Sequence, residues 1–158
     1  MSRRSFASTL AALALALLGS GASFGAEPFG TPEEAKAMLE RAVAALKADA
    51  TAALKKLNDE DDKQFRNHDL YVFCFNVADG KFTAFQNSMM LGTNIRELKL
   101  PPDDPIGQRA YDLVHDAPEG SFVSFEYDFP KPGTKKPATK QTLETRVGDQ
   151  ACGITYFK

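Results

Sequence analysis

The chain has 158 residues, 43% of them hydrophobic and 25% charged, with a formal net charge of −2. That length and apolar content suit one domain with a real core. The mildly acidic balance argues against nucleic acid or an anionic membrane surface as a partner.

The first 26 residues read as an export signal. Arg3 and Arg4 form a positive start, and Leu10 to Leu18 is an uncharged apolar run. The run is shorter than the about 20 apolar residues that span a bilayer. Small residues follow from Gly19 to Ala26, which places cleavage between Ala22 and Ala26; Phe24 disfavours a cut after Ala26 itself. Ser2-Arg3-Arg4-Ser5-Phe6 resembles a twin-arginine signal, the type that carries folded cargo, with an ordinary secretory signal as the alternative. No Cys follows the apolar run, which argues against a lipid anchor. No later stretch is apolar enough for a membrane helix, so a soluble mature chain over 27–158 is expected. Removing Arg3 and Arg4 from the 19 basic residues leaves 17 against 21 acidic ones, a net charge of −4.

Thr31-Pro32-Glu33-Glu34 carries a helix-start signature: Thr31 as cap, Pro32 at the first helical position, Glu34 closing a capping box. Apolar residues then recur with helical period from Ala35 through Met38, Leu39, Ala42, Val43, Leu46, Ala50, Ala53 and Leu54 to Leu57. This predicts one long helix ending near Asn58. Asp59 to Asp62 reads as a solvated acidic connector rather than a cation site.

Strands follow. Asp69 to Asn76 is apolar on both alternating faces, as a central strand covered on both sides would be. Ala78-Asp79-Gly80 is a turn, and Lys81 to Gln86 returns as a hairpin partner. Asn87 to Asn94 is a loop with Gly92 as its flexible point. A second helix begins after Pro101 to Pro105 with Asp104 as cap and an apolar stripe of Ile106, Ala110, Leu113, Val114 and Ala117. Three strands run to the C-terminus, Ser121 to Phe129, Thr139 to Val147 and Gln150 to Phe157. The first alternates Val123, Phe125, Tyr127 and Phe129 against Ser124, Glu126 and Asp128, and this polar face is expected to meet Lys140 and Arg146.

Catalytic sets are absent from the pattern. His68 and His115 lie in different segments, the first read as a surface or capping residue, the second as a cation at a helix C-terminus. No HExxH, GxSxG, Gly-rich phosphate loop or CxxC occurs. Neither Cys74 nor Cys152 has a base beside it in sequence or stands at metal-ligand spacing. No catalytic residue, metal site or cofactor is expected.

The element order resembles a single Cache domain, a PAS-like extracytoplasmic sensor family. DLYVFCFNVADGKFTAF is similar to that family's aromatic-rich hairpin, and Leu91-Gly92-Thr93-Asn94 to its Gly-Lys-Asn loop. Gly120 to Phe125 followed by Pro130 to Gly133 resembles its third strand and exit, and Val147 to Gly153 its final hairpin. Two positions depart: Phe85 stands where many relatives carry His, and Thr93 where Lys is usual, which bears on how a carboxylate would be held.

The resemblance implies an α+β fold, with a five-stranded antiparallel sheet whose first and last strands are central neighbours. The long helix would cover one face, and the Asn87 to Ala117 segment the other, enclosing a pocket. It implies a free-standing exported module that binds a small organic acid or amino acid and acts through a membrane receptor or kinase, with a homodimer as an option. A ligand-free interaction protein and a small cofactor-bearing protein or enzyme are the alternatives. Ligand candidates are Phe73, Phe85 and Tyr127 as walls, Gln86 and Asn87 as hydrogen-bonding groups, Arg109 and Lys140 as anion partners, and Tyr111 and Tyr156 as hydroxyl donors. Neighbouring first and last strands also make a Cys74–Cys152 disulfide an expectation, with two buried thiols as the alternative.

Overall fold

A computed structural model of the protein describes residues 29–134 and 136–158; the expected export signal lies outside the described residues. Helix α1 spans Pro32–Ala48 and opens with the capping box. The Thr31 hydroxyl accepts the Glu34 N–H at 3.2 Å, and the Glu34 carboxylate accepts the Thr31 N–H at 2.8 Å. The helix does not run on to Asn58. At Asp49 the backbone becomes extended (φ −159°, ψ 101°), and the Asp49 carboxylate accepts the Ala52 N–H to start a second helix, α2, Ala50–Leu57. The expected single long helix is thus two, because an Asp side chain at this point competes for backbone donors and caps a new helix.

The strands are β1 (Arg66–Asn67), β2 (Leu70–Asn76), β3 (Phe82–Ala84), β4 (Phe122–Pro130), β5 (Pro137–Val147) and β6 (Gln150–Phe157). They form an antiparallel sheet in the order β1-β2-β6-β5-β4, with β3 also pairing along the outer edge of β2. The expected five strands are present, and the two-residue β1 is a sixth. The first long strand and the last are neighbours at the centre, with Cys74 directly opposite Cys152. The two form a disulfide with Cα atoms 4.1 Å apart.

The pairing registers place side chains in rows across the sheet. Leu70, Val72, Cys74, Cys152, Ile154 and Tyr156 face α1 and α2 and join their buried residues in one core. Tyr71, Phe73, Phe75, Phe125 and Ala151 face the other way, under two 3₁₀ turns (Ser88–Met90 and Ile95–Glu97) and helix α3 (Ile106–His115). The Asn87 to Ala117 segment therefore covers the second face. Helix α3 buries Ile106, Gly107, Ala110, Tyr111 and Val114. Its cap is Pro105 without a side-chain hydrogen bond; Asp104, the expected cap, instead lies 3.5 Å from Arg109 as an ion pair. Gly107 packs so close to the 3₁₀ turn that an added Cβ would fall 1.8 Å from the Ile95 carbonyl oxygen, so only Gly fits there.

One expectation about β5 is corrected. Lys140 pairs with Tyr127, so it shares the aromatic face of β4 rather than its polar face. The polar face meets other partners: Glu126 binds Lys158 at 2.7 Å, and Ser124 accepts a hydrogen bond from Gln141. Arg146 likewise points to the α3 side, where it reaches the His115 carbonyl.

Candidate ligand-binding site

The aromatic face does not pack shut. Between it and the loop-helix cover lies a cavity of about 520 Å³, a size typical of small-molecule sites. Its walls come from every element on that side: Tyr71 and Phe73 of β2, Phe82 of β3 with Phe85 just beyond it, Phe125, Tyr127 and Phe129 of β4, and Phe157 of β6. Ile95, Leu98, Ile106 and Ala110 close it from above. The rings contact one another mainly edge to face. Phe82 and Phe85 are 4.8 Å apart between centroids, and Tyr71 and Phe85 5.5 Å. Edge-to-face contact is the geometry the ring quadrupoles favour.

Polar groups gather at one end. Phe157, Lys140 and Tyr127 form one row across β6, β5 and β4 on this face, and Asp69, the residue before β2, lines the cavity near Lys140. The Lys140 ammonium lies 4.5 Å from the Phe157 ring centroid and 5.6 Å from that of Phe129. Burial lowers its pKa, and nearby Asp69 works against that shift. Among the described residues Lys140 forms no ion pair. One Asp69 oxygen accepts the Gly30 N–H at 2.9 Å, while the other is buried with no hydrogen-bond partner. His68, beside it, holds a positive φ of 55° in the tight turn between β1 and β2. A non-Gly residue rarely adopts that conformation, and such strain concentrates at functional positions. Sequence reading took His68 for a surface or capping residue; its place on the cavity rim follows from the two-residue β1, which is too short to leave a pattern.

Two tyrosines and two threonines add hydroxyls to the walls. Burial pushes the Tyr71 pKa up to about 12, with Tyr127 adding to the rise and Arg66 opposing it. Burial also raises Tyr127, partly offset by its hydrogen-bonding neighbours Thr155 and Thr142. Both phenols are therefore neutral donors at physiological pH. The cavity as a whole offers one cation, one unsatisfied carboxylate oxygen and neutral hydroxyls around an aromatic interior.

Of the sequence-derived candidates, Phe73, Phe85, Gln86, Tyr127 and Lys140 line this cavity. Four others do not. Asn87 turns its side chain to cap the 3₁₀ turn through the Met89 N–H. Arg109 is exposed, ion-paired with Asp104, and lies 5.1 Å over the ring of Phe125. Tyr111 donates its hydroxyl to the Val77 carbonyl at 2.7 Å and packs on Phe75. Tyr156 lies on the helix-covered face and donates to Gln141. Strand parity explains the last: Tyr156 must share the face of Cys152. Sequence reading missed Asp69, Thr142 and Thr155.

Among the described residues, no group of three or more His, Cys, Asp or Glu could hold a metal ion, and no helix is long and apolar enough to cross a membrane.

No protein-family model and no curated protein sequence matches the chain. Solved structures do. A methyl-accepting chemotaxis protein from Vibrio parahaemolyticus RIMD 2210633 superposes with a TM-score of 0.58 at 19% identity, over 79% of this chain and 86% of that one. The periplasmic sensor domain of a chemotaxis protein gives 0.53 at 18% identity, over 79% and 88%. A Cache chemosensory domain, solved for the structural basis of its carboxylic acid recognition, gives 0.52 at 16% identity, over 79% and 86%. Two of these three structures are sensory domains, one periplasmic and one chemosensory. The chain has the PAS-like α+β fold of a single Cache sensor domain.

Proposed function

We propose that the protein is an exported small-molecule binding module whose cavity takes an organic acid or amino acid, and whose ligand state is read by a membrane receptor or kinase. The observation that carries this reading is the setting of Lys140. Its ammonium is half-buried in an aromatic cavity and held by ring faces rather than by a counter-ion. A cation kept partly out of water without an ion-pair partner is poised to gain from an incoming carboxylate. The Cache sensor solved for carboxylic acid recognition supports the same ligand chemistry by analogy of fold. The cross-strand disulfide supports residence in an oxidising compartment, in line with the export signal read from residues 1–26.

Thermal melting against a panel of carboxylates and amino acids tests the reading. A ligand at 100 times its dissociation constant adds about 2.7 kcal/mol of stability. At least one acid should raise the melting temperature in proportion to the logarithm of its concentration. A flat response to every acid and amino acid would contradict the proposal.

A further inference from the structure

The cavity is charged at one end and apolar at the other. Lys140 and Asp69 stand at the charged end. Among the described residues, all those that the Asn87 to Ala117 cover contributes to the walls are apolar: Ile95, Leu98, Leu100, Ile106, Gly107 and Ala110. On the sheet, Phe73 lies two rows in from Lys140. It stands opposite Gly153, which stands opposite Glu144, four residues along β5 from Lys140. Four residues of strand cover about 13 Å. The row between holds Phe125, Thr142 and Thr155, and both threonines are hydrogen-bonding neighbours of the Tyr127 phenol.

Phe85 is the hub of the rings at the apolar end. Its centroid lies 4.8 Å from that of Phe82, 5.5 Å from Tyr71 and 6.4 Å from Phe73. Phe73 and Phe82 are buried, whereas Phe85, Tyr71 and Phe125 line the cavity only half-buried. Gln86, beside the hub, is exposed. Water is a poor occupant of such a space, because a buried water needs about two to four polar partners. An acid of two or three carbons held at Lys140 would end within the first row and leave the aromatic end unfilled. A flat apolar body reaching two rows inward would fill it, and an aromatic one would add edge-to-face contacts to rings already arranged that way.

We propose that the cavity selects an aryl-substituted carboxylic acid, with its carboxylate at Lys140 and its ring among Phe73, Phe82, Phe85 and Phe125, under Ile95 and Ile106. This rests on the cavity being the site of an acid ligand and specifies which acids it takes. Charge attraction at Lys140 orients the molecule, and burial of the ring supplies the discrimination against short-chain acids.

The test is calorimetric titration of the purified protein with 3-phenylpropionate and with propionate, which differ only in the ring. The aryl acid should bind tighter by about 100-fold, the gain expected from burying one ring's apolar surface. Nuclear Overhauser contacts should join the ligand's ring protons to the methyl groups of Ile95 or Ile106. Both measurements use the wild-type protein, so neither depends on a variant that folds. A preference below tenfold overturns the inference and leaves the cavity standing as a site for small acids. Tight binding without contacts to either isoleucine also overturns it, because the ring then lies elsewhere. Failure of both acids to bind overturns the inference together with its premise.

Discussion

Lys140 and Phe157 stand opposite each other on β5 and β6, and the ammonium nitrogen lies 4.5 Å from the ring centroid. The pairing holds a cation at the polar end of an aromatic cavity without neutralising it. A ring face attracts a partly desolvated ammonium by about 1–2 kcal/mol and uses none of its N–H donors in directed hydrogen bonds; such bonds to a carboxylate contribute roughly 1.5–3 kcal/mol. The contact can therefore keep Lys140 in place when the cavity is empty and still leave it free to bind an anion.

The disulfide gives a first prediction. Cys74 and Cys152 are 78 residues apart in sequence, so the closed loop is long, and the chain-entropy argument puts the contribution of the bond at roughly 4 kcal/mol. The Cys74→Ala, Cys152→Ala double variant should unfold at distinctly lower urea concentration, with the loss falling between about 2 and 5 kcal/mol. Thiol labelling of the denatured, unreduced wild type should find no free thiol. Two reactive thiols per chain would show that the bridge does not form.

Glu144 gives the pH dependence of stability. Its pKa rises from 4.5 to about 8 on folding because of burial. Between those values the folded state retains a proton that the unfolded state has released. Stability should therefore be highest below the lower value and fall as pH rises through the window, by up to about 1.4 kcal/mol per pH unit from this group. Glu144→Gln removes the titration. Urea midpoints of variant and wild type should be close at pH 5 and diverge by pH 7.5, the variant becoming the more stable. Parallel pH profiles would mean that Glu144 is ionised in the folded state.

Gly153→Ala tests the packing beneath the cavity. The added methyl group meets Phe73 and Glu144 inside contact distance, in the middle of a central strand. Overpacking of this kind costs about 1–3 kcal/mol. A substitution without effect on the unfolding midpoint would show that the floor has room to spare.

Much of this fold was legible in the sequence, and the reasons are particular. Leu70 to Asn76 is apolar on both faces, and only a central strand needs that. Cys74 and Cys152 occupy apolar faces of two strands that a PAS-like order makes neighbours. The break at Asp49 was not legible, because the apolar stripe runs through it: Leu46 and Ala53 are both buried and the period continues. Periodicity records which face is buried, and it is insensitive to one residue leaving the helix to cap the next. The cavity was half legible. Aromatic residues on β2 and β4 announced it, whereas Lys140 and Arg146 of β5 were expected to meet the polar face of β4. Composition alone does not say which way a polar face points; the register with Tyr127 does.

The most direct test of the central claim, that the cavity holds an acid through Lys140, is calorimetric titration with the acid that most raises the melting temperature. Wild type and Lys140→Met are compared. Methionine keeps most of the apolar stem and removes the charge, so the cavity walls remain. Loss of a charge-assisted hydrogen bond costs roughly 1.5–3 kcal/mol, which corresponds to about a 10- to 150-fold rise in Kd. That weakening, in a variant that melts cooperatively, is the result expected. Equal affinity in the two proteins would contradict the account and place the anion elsewhere.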